Sequence, residues 1–188
     1  YSGMLLANEV SGFGRKIPSY DFAAAKVIVS LGADFLGTWL NPVENARGYS
    51  KGRKIDEKNP SMSKHYQFEG HLSMTGSNAD ERFTHRPSET GAIAVALLAA
   101  VNGGAASVAD GKLKAGIEKA AADLKAHNGA ALVVSSSNDK NVQVVVNAIN
   151  NAIGAYGTTI NWNQAVNYRQ GIDSDMADLI AQMEAGAV

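Results

Sequence analysis

Two short apolar runs restrict the fold more than any other feature of this sequence. Residues 26–32 (KVIVSLG) and residues 131–134 (ALVV) are almost continuously apolar instead of alternating with polar positions. Continuous runs of this length are typical of strands that are buried on both faces, as in parallel sheets. We therefore predict that both segments are core strands of one sheet.

Two further strands are predicted, and segments with helical periodicity lie before, between and after the strands. Residues 65–69 alternate polar with aromatic side chains, and residues 158–160 are predicted to form a short fourth strand. The segments with helical signals are residues 4–10, 41–48, 91–101, 113–124, 142–153 and 173–186. Because a parallel crossover needs a helix-length connection, this alternation predicts one α/β domain over residues 1–188, with a largely parallel, doubly wound Rossmann-like sheet and helices on both faces.

Polar residues before several helices are expected to cap them. Asn41, one of residues 135–138 (SSSN), and either Asp173 or Ser174 are placed to accept hydrogen bonds from first-turn N–H groups. The last helix has one apolar face, formed by Met176, Leu179, Ile180 and Met183.

Three stretches are predicted to be loops. Pro18 and Ser19 mark the first, and residues 51–63 form a charged surface excursion. Residues 70–86 show no sustained period, so we expect one long, shaped loop there. Loops of this length in compact domains are usually functional.

Composition excludes several classes of protein. The formal net charge is −1 and charged residues make up 19%, so no basic nucleic-acid-binding face is indicated. Since the sequence has no cysteine, it contains no disulfide, thiolate zinc site or cysteine-bound iron–sulfur cluster. The longest apolar run, residues 92–101, is shorter than the roughly 20 residues that span a bilayer. The start at Tyr1, without a signal-like head, leads us to expect an internal piece of a larger protein.

Polar or glycine-rich segments follow three of the predicted strands, where doubly wound sheets collect ligands. Residues 32–39 (GADFLGTW) contain neither GxGxxG nor a Walker loop, and a tight turn with packed aromatic residues also explains them. The hydrogen-bonding groups of residues 69–80 are compatible with two interpretations. They can bind a polar heterocycle or phosphate, or they can bond to one another in an ordered loop. Residues 135–138 are most simply explained as a helix cap. A phosphate could bind there only if backbone N–H groups are exposed at the start of the helix.

The four histidines do not indicate a metal site. His65, Glu69 and His71 come nearest to a ligand set, but strand residues four positions apart are separated by ~13 Å. No Gly-x-Ser-x-Gly motif lies at a predicted strand-turn-helix junction, and the sequence has no cysteine, so no nucleophilic hydrolase is predicted.

Longer blocks of the sequence resemble a known family. Residues 27–39 (VIVSLGADFLGTW) with 42–44 (PVE), and residues 66–82 (YQFEGHLSMTGSNADER), are similar to successive blocks of the molybdopterin-oxidoreductase-like part of the iron–sulfur subunit of alternative complex III. Such subunits are also described as Tat-variant-translocated molybdopterin oxidoreductases. Residues 147–154 (NAINNAIG) resemble a later helix of the family, so the resemblance covers most of the chain.

A more distant resemblance connects the chain with true molybdopterin enzymes. Their nucleotide-binding domain carries Gly-x-Asn-Pro, Asp-Pro-Arg and Pro-Gly-Thr-Asp at places where this chain has residues 32–35 (GADF), 69–71 (EGH) and 87–90 (PSET). The lost arginine and proline turns would have fixed a guanine nucleotide, and the new carboxylates repel phosphate unless they are paired. The residues that this resemblance places in a vestigial cofactor cleft are Gly32, Asp34, Glu69, His71 and Glu89.

The resemblance implies a structural, cofactor-free domain, without catalytic residues, of a membrane-associated quinol-oxidising electron-transfer complex in a respiratory chain. Its 4Fe-4S and 3Fe-4S clusters are expected elsewhere in the full-length subunit. The expected partners are other domains and subunits on the periplasmic side of the cytoplasmic membrane, after Tat translocation. Neither nucleic acid nor direct membrane insertion is expected.

Two alternatives remain open. In one, the domain belongs to an active molybdopterin-dependent oxidoreductase and helps to bind molybdopterin guanine dinucleotide, with Asp34, Glu69, His71 and Glu89 lining the nucleotide cleft. In the other, a small-molecule binder has reused the old cleft.

Overall fold

The computed structural model describes residues 1–55, 57–58 and 60–188. The strands within this part of the chain are β1 (Ile17–Tyr20), β2 (Val27–Leu31), β3 (Lys64–Glu69), β4 (Glu81–Thr84), β5 (Ala131–Ser135) and β6 (Ile160–Val166). Four of them form a parallel sheet in the order β4-β3-β2-β5. The two central strands of that sheet, β2 and β3, are almost completely buried, as the continuous apolar run of β2 predicts.

Helices connect and flank these strands. They are α1 (Ser2–Val10), α2 (Pro42–Gly52), α3 (Met74–Ser77), α4 (Thr90–Val101), α5 (Gly111–Ala126), α6 (Lys140–Ala152) and α7 (Asp173–Glu184). A 3-10 turn, Pro87–Glu89, leads into α4. The chain is therefore an α/β protein whose parallel sheet is flanked by helices, as in Rossmann-like folds in general. No helix in the described part of the chain is long and apolar enough to cross a membrane.

The two faces of β3 meet different layers of the molecule. On one face, Phe68 stacks on Phe83 of β4 with ring centroids 5.0 Å apart, and Tyr66 donates a hydrogen bond to Asp123 of α5. On the other face, His65 lies against the rings of Phe35 and of Tyr49 from α2. Helical segments thus cover both sides of the sheet.

Helix α6 protects the free edge of β5. The side-chain amide of Asn150 donates to the Val133 carbonyl over 2.8 Å, and its oxygen accepts from the Val133 N–H over 3.0 Å. A side chain here replaces a neighbouring strand, so both backbone groups of a buried edge residue are satisfied.

A two-stranded antiparallel sheet lies outside the main sheet and corrects two sequence predictions. The loop expected at Pro18 and Ser19 is part of β1, which pairs with β6. The short strand expected at residues 158–160 begins instead at Ile160, extends to Val166 and does not join the parallel sheet. A register shift between Pro18 and Ser19 lets this strand accommodate a proline, which has no N–H to donate.

The single long loop expected over residues 70–86 is also wrong. The helix α3 and the edge strand β4 both lie within it. Each is only four residues long, which is too short to produce a recognisable period. Of the predicted surface excursion 51–63, residues 56 and 59 lie outside the described residues, and most of the others are exposed.

None of the three expected side-chain caps forms, although Asn41 does occupy the N-cap position of α2. Asn41 precedes α2, but its amide bonds to the Glu44 carboxylate instead of capping the helix. Asp139, one residue beyond the predicted 135–138 segment, caps α6 by accepting from the Asn141 N–H. Helix α7 starts after Ile172, without a side-chain cap.

Candidate functional site

A cleft of about 310 Å³ opens where the strands of the parallel sheet end. The chain runs from β2 outward through β3 to β4 and then returns to the other side of β2 as β5, so the strand order reverses between β2 and β5. Ligands of open α/β sheets bind at such switch points. The residues that line the cleft are Leu31, Gly32, Glu69, Gly70, His71, His85, Pro87, Thr90, Ser136 and Ser137.

Gly32 lets two strand ends approach each other closely. Its φ of +74° is one that side chains with a Cβ rarely adopt, and an added Cβ would lie 3.0 Å from the Ser136 hydroxyl. Its N–H donates to the Phe68 carbonyl over 2.8 Å, while the Ser136 N–H donates to the Leu31 carbonyl over 3.2 Å. The ends of β2, β3 and β5 are thereby tied together beside the cleft.

Glu69 reaches the cleft from β3, but its carboxylate is fully engaged within the protein. It is 2% exposed and accepts hydrogen bonds from Ser73 Oγ at 2.6 Å, from Gln67 Nε2 at 3.1 Å and from Arg82 Nε. Burial by itself raises the pKa of Glu69, but the hydrogen bonds from Ser73, Arg82 and Gln67 outweigh it and hold that pKa below its ordinary value. The carboxylate is therefore an ionised structural anchor.

The two histidines of the cleft differ in their surroundings. His71 is exposed on the turn after β3. The Nδ1 atom of His85 lies 2.8 Å from the Arg86 carbonyl, which can only accept, so Nδ1 carries a proton. Its Nε2 atom is shielded from solvent and has no hydrogen-bond partner among the described residues. His85 was not among the residues predicted for the cleft, because it follows β4, a strand too short to be recognised in the sequence.

Asp34 and Glu89, two of the five predicted cleft residues, do not line it. Asp34 accepts from the Thr75 N–H at 3.0 Å and from the Thr75 hydroxyl at 2.7 Å, so it fixes the start of α3. Glu89 accepts from the Arg86 N–H at 2.8 Å in the turn before α4. The structure therefore brings Gly32, Glu69 and His71 together and leaves the other two carboxylates in local structural roles.

A chain of hydrogen bonds between buried polar side chains runs along β3 to the cleft, and we call it the polar relay. His65 lies between Tyr49 Oη and Gln67 Oε1, each 3.2 Å from a ring nitrogen, and Gln67 in turn donates to Glu69. Because the Gln67 amide donates to a carboxylate, its oxygen faces His65 and accepts from Nε2–H. Burial lowers the pKa of His65 to about 4, so the ring is neutral at pH 7.

Asp80 supports this relay from the carboxyl-terminal side of α3. It accepts from the His65 backbone N–H at 2.7 Å and forms two 2.7 Å contacts with the Arg53 guanidinium. Burial raises the pKa of Asp80, but Arg53 and the His65 N–H outweigh burial and lower it overall. The sequence showed these polar positions only as an alternating pattern, which usually places the polar side in water.

A larger, open groove of about 420 Å³ lies between α2 and the β1–β6 ribbon, with Arg47 and Lys51 on its walls. Its lining residues come from α2, the β1–β6 ribbon and the adjoining loops, and none of them belongs to a strand of the parallel sheet. Within the described residues, no group of three or more His, Asp or Glu side chains is arranged to hold a metal ion.

The fold and the cleft define a class: an α/β protein with a Rossmann-like parallel sheet and a polar cleft at its switch point. No protein-family model matches the sequence, and no curated protein matches it at a significant level.

Proposed function

We propose that this chain is a structural, cofactor-free domain of the molybdopterin-oxidoreductase-like kind, within the iron–sulfur subunit of a membrane-associated quinol-oxidising electron-transfer complex. The observation that supports it is the state of Glu69. The chain has Glu69, Gly70 and His71 where the enzymes carry Asp-Pro-Arg, and Glu69 uses the nearby guanidinium of Arg82 and the hydroxyl of Ser73 for itself.

Cofactor phosphates need donors that are free to bind them. A phosphate entering this corner would have to displace a buried carboxylate from Arg82 and Ser73, and the displaced charge would lose its compensation. The network instead joins β3, α3 and β4 into one unit. This is the behaviour of a scaffold, and it supports the cofactor-free form of the proposal over the catalytic one.

The remaining parts of the proposal follow from the same family resemblance. The 4Fe-4S and 3Fe-4S clusters of the complex reside in other regions of the full-length subunit. This domain contacts other domains and subunits on the periplasmic side of the membrane, after Tat translocation.

The alternative, a contribution to an active molybdopterin enzyme, is favoured by one observation. The cleft lies at the switch point and is bordered by Gly32 and Gly70, where backbone can approach a ligand closely.

Calorimetric titration of the chain with molybdopterin guanine dinucleotide separates the two proposals. We expect no saturable heat, because Glu69 already engages Arg82 and Ser73, which a phosphate in this corner would need as donors. A known molybdopterin enzyme serves as the positive control for the ligand preparation. Tight binding at one cofactor per chain, or stoichiometric molybdenum or tungsten in the natively purified protein, would establish the enzyme instead.

A further inference from the structure

Helix α7 leaves its apolar side chains in solvent. Met176, Leu179, Ile180 and Met183 are 60%, 42%, 49% and 60% exposed. Their spacing of i, i+3, i+4 and i+7 places them on one face of the helix, and we call them the α7 stripe. No residue of α7 is buried by the part of the chain that the structure describes.

The start of α7 is attached to the body of the molecule. The Asp173 N–H donates to the Ser2 hydroxyl over 3.1 Å, and the Asn138 amide donates to the Asp173 carboxylate over 2.8 Å. Ile172, just before the helix, is buried in the main core. The first residue of α7 is therefore held in place on the body of the molecule, while the α7 stripe remains exposed.

The charges of α7 are all negative. The helix carries Asp173, Asp175, Asp178 and Glu184 and has no Lys, Arg or His. Acidic residues in the first turn complement the helix dipole, which accounts for the first two. Glu184 lies in the last turn, where the dipole disfavours an anion, and at 3.6 residues per turn Asp175 and Glu184 border the α7 stripe on opposite sides.

We propose that the α7 stripe docks into an apolar groove between helices of another polypeptide, and that the rim of this groove carries Lys or Arg. Anchors at i, i+3, i+4 and i+7 are the signature of a helix seated in a groove. Cations on the rim would pair with Asp175 and Glu184. Pairing between the α7 helices of two copies, or with an anionic bilayer, would bring like charges together instead. This inference goes beyond the proposed function, since it holds whether or not the cleft binds a cofactor.

Site-specific photo-crosslinking in the cells that naturally make the protein tests the proposal. The photoreactive residue p-benzoylphenylalanine replaces Met183 on the α7 stripe, and in a matched control it replaces Asp178 on the opposite side of the helix. After irradiation, crosslinked peptides are identified by mass spectrometry. We expect position 183, but not position 178, to crosslink to a different polypeptide at a segment with apolar residues flanked by Lys or Arg. Circular dichroism checks that both variants fold.

Charge reversal provides the second readout. Glu184→Lys should lower the crosslinking yield at position 183 by about two- to fivefold, as expected for one exposed ion pair, while Asp178→Lys should leave it unchanged. Adducts with a second copy of this chain, with lipid or with an acidic segment would overturn the proposal. So would equal yields at positions 183 and 178, or a yield that Glu184→Lys does not lower.

Discussion

At the scale of single residues, His65 shows how this fold tolerates a titratable group in its core. The side chain is completely buried on a central strand and is held by Tyr49 and Gln67. Desolvation disfavours the imidazolium form more than the hydrogen bond with Gln67 favours it, so the pKa falls to about 4. The native core therefore depends on a neutral ring.

This pKa predicts a specific loss of stability in mild acid. Between the unfolded pKa of 6.5 and the folded pKa of about 4, the unfolded chain binds a proton that the native chain does not, so the free energy of unfolding decreases as pH falls through this range. The loss should reach about 2 kcal/mol near pH 5 and about 3 kcal/mol when both states are protonated. Urea unfolding followed by circular dichroism at several pH values measures it.

Two variants assign that loss to His65. His65→Gln, which does not titrate, should flatten the stability profile between pH 6.5 and 5, whereas the exposed His127→Gln should retain the wild-type slope. Parallel profiles for the wild type and His65→Gln would show that another group is responsible.

The sequence could locate part of the candidate site because the carboxyl ends of parallel strands converge. Gly32 and His71 follow two strongly patterned strands, Glu69 is the last residue of one of them, and all three line the cleft. Asp34 and Glu89 were misplaced because a short acidic side chain bonds to whichever local N–H is nearest, and here these are Thr75 and Arg86. Such choices depend on the three-dimensional arrangement of the loops, not on sequence pattern.

At the scale of elements, α5 packs closely against the sheet. A Cβ added to Gly116 would lie 2.4 Å from the Phe83 ring, which is itself stacked on Phe68. The close approach allows the helix to cover the β3–β4 side of the sheet, and it makes glycine necessary in the middle of a helix where alanine is otherwise preferred.

Gly116→Ala should therefore destabilise the protein by about 1–2 kcal/mol, because the cost of overpacking exceeds the gain in helix propensity. Gly111→Ala, in the same helix with nothing within 4 Å of the added Cβ, should be neutral or slightly stabilising. Chemical denaturation of both variants measures the difference. If Gly116→Ala were the more stable of the two, the packing of α5 against Phe83 would be looser than described.

Most elements of five or more residues were predictable, whereas the four-residue elements and most of β6 were not. The apolar strands β2 and β5, the alternating strand β3 and the long helices are all found close to their expected positions. Strand β4 and helix α3 have four residues each, and β1 contains a proline, so none produces a periodic signal. The pairing of β1 with β6 depends on contacts between distant parts of the chain that local pattern does not encode.

At the scale of the whole molecule, the parallel sheet needs protection at both edges. Strand β4, at one edge, is short and carries Glu81 and Arg82, which are charged residues that discourage pairing with another sheet. At the other edge, Asn150 of α6 bonds to both backbone groups of Val133. The two edges of the sheet are thus protected in different ways, one by charged residues and the other by the Asn150 side chain.

Asn150→Ala should lower the free energy of unfolding by about 2–4 kcal/mol, because it leaves a buried N–H and a buried carbonyl unsatisfied. The exposed neighbour Asn151→Ala should change it by less than about 0.5 kcal/mol. Hydrogen exchange at the Val133 amide should accelerate in Asn150→Ala alone. Unchanged protection of that amide would show that the Asn150 side chain does not close this edge.

The position of β5 beside β2 has a consequence during synthesis of the chain. The Ser135 hydroxyl reaches the Leu31 carbonyl across 104 residues of sequence, so the central strand has no neighbour on that side until β5 has been translated. At roughly 5–20 residues per second, the ribosome takes roughly 5 to 20 seconds to supply it. Throughout that interval the nascent polypeptide carries an apolar strand with one unpaired edge, which makes it prone to aggregation.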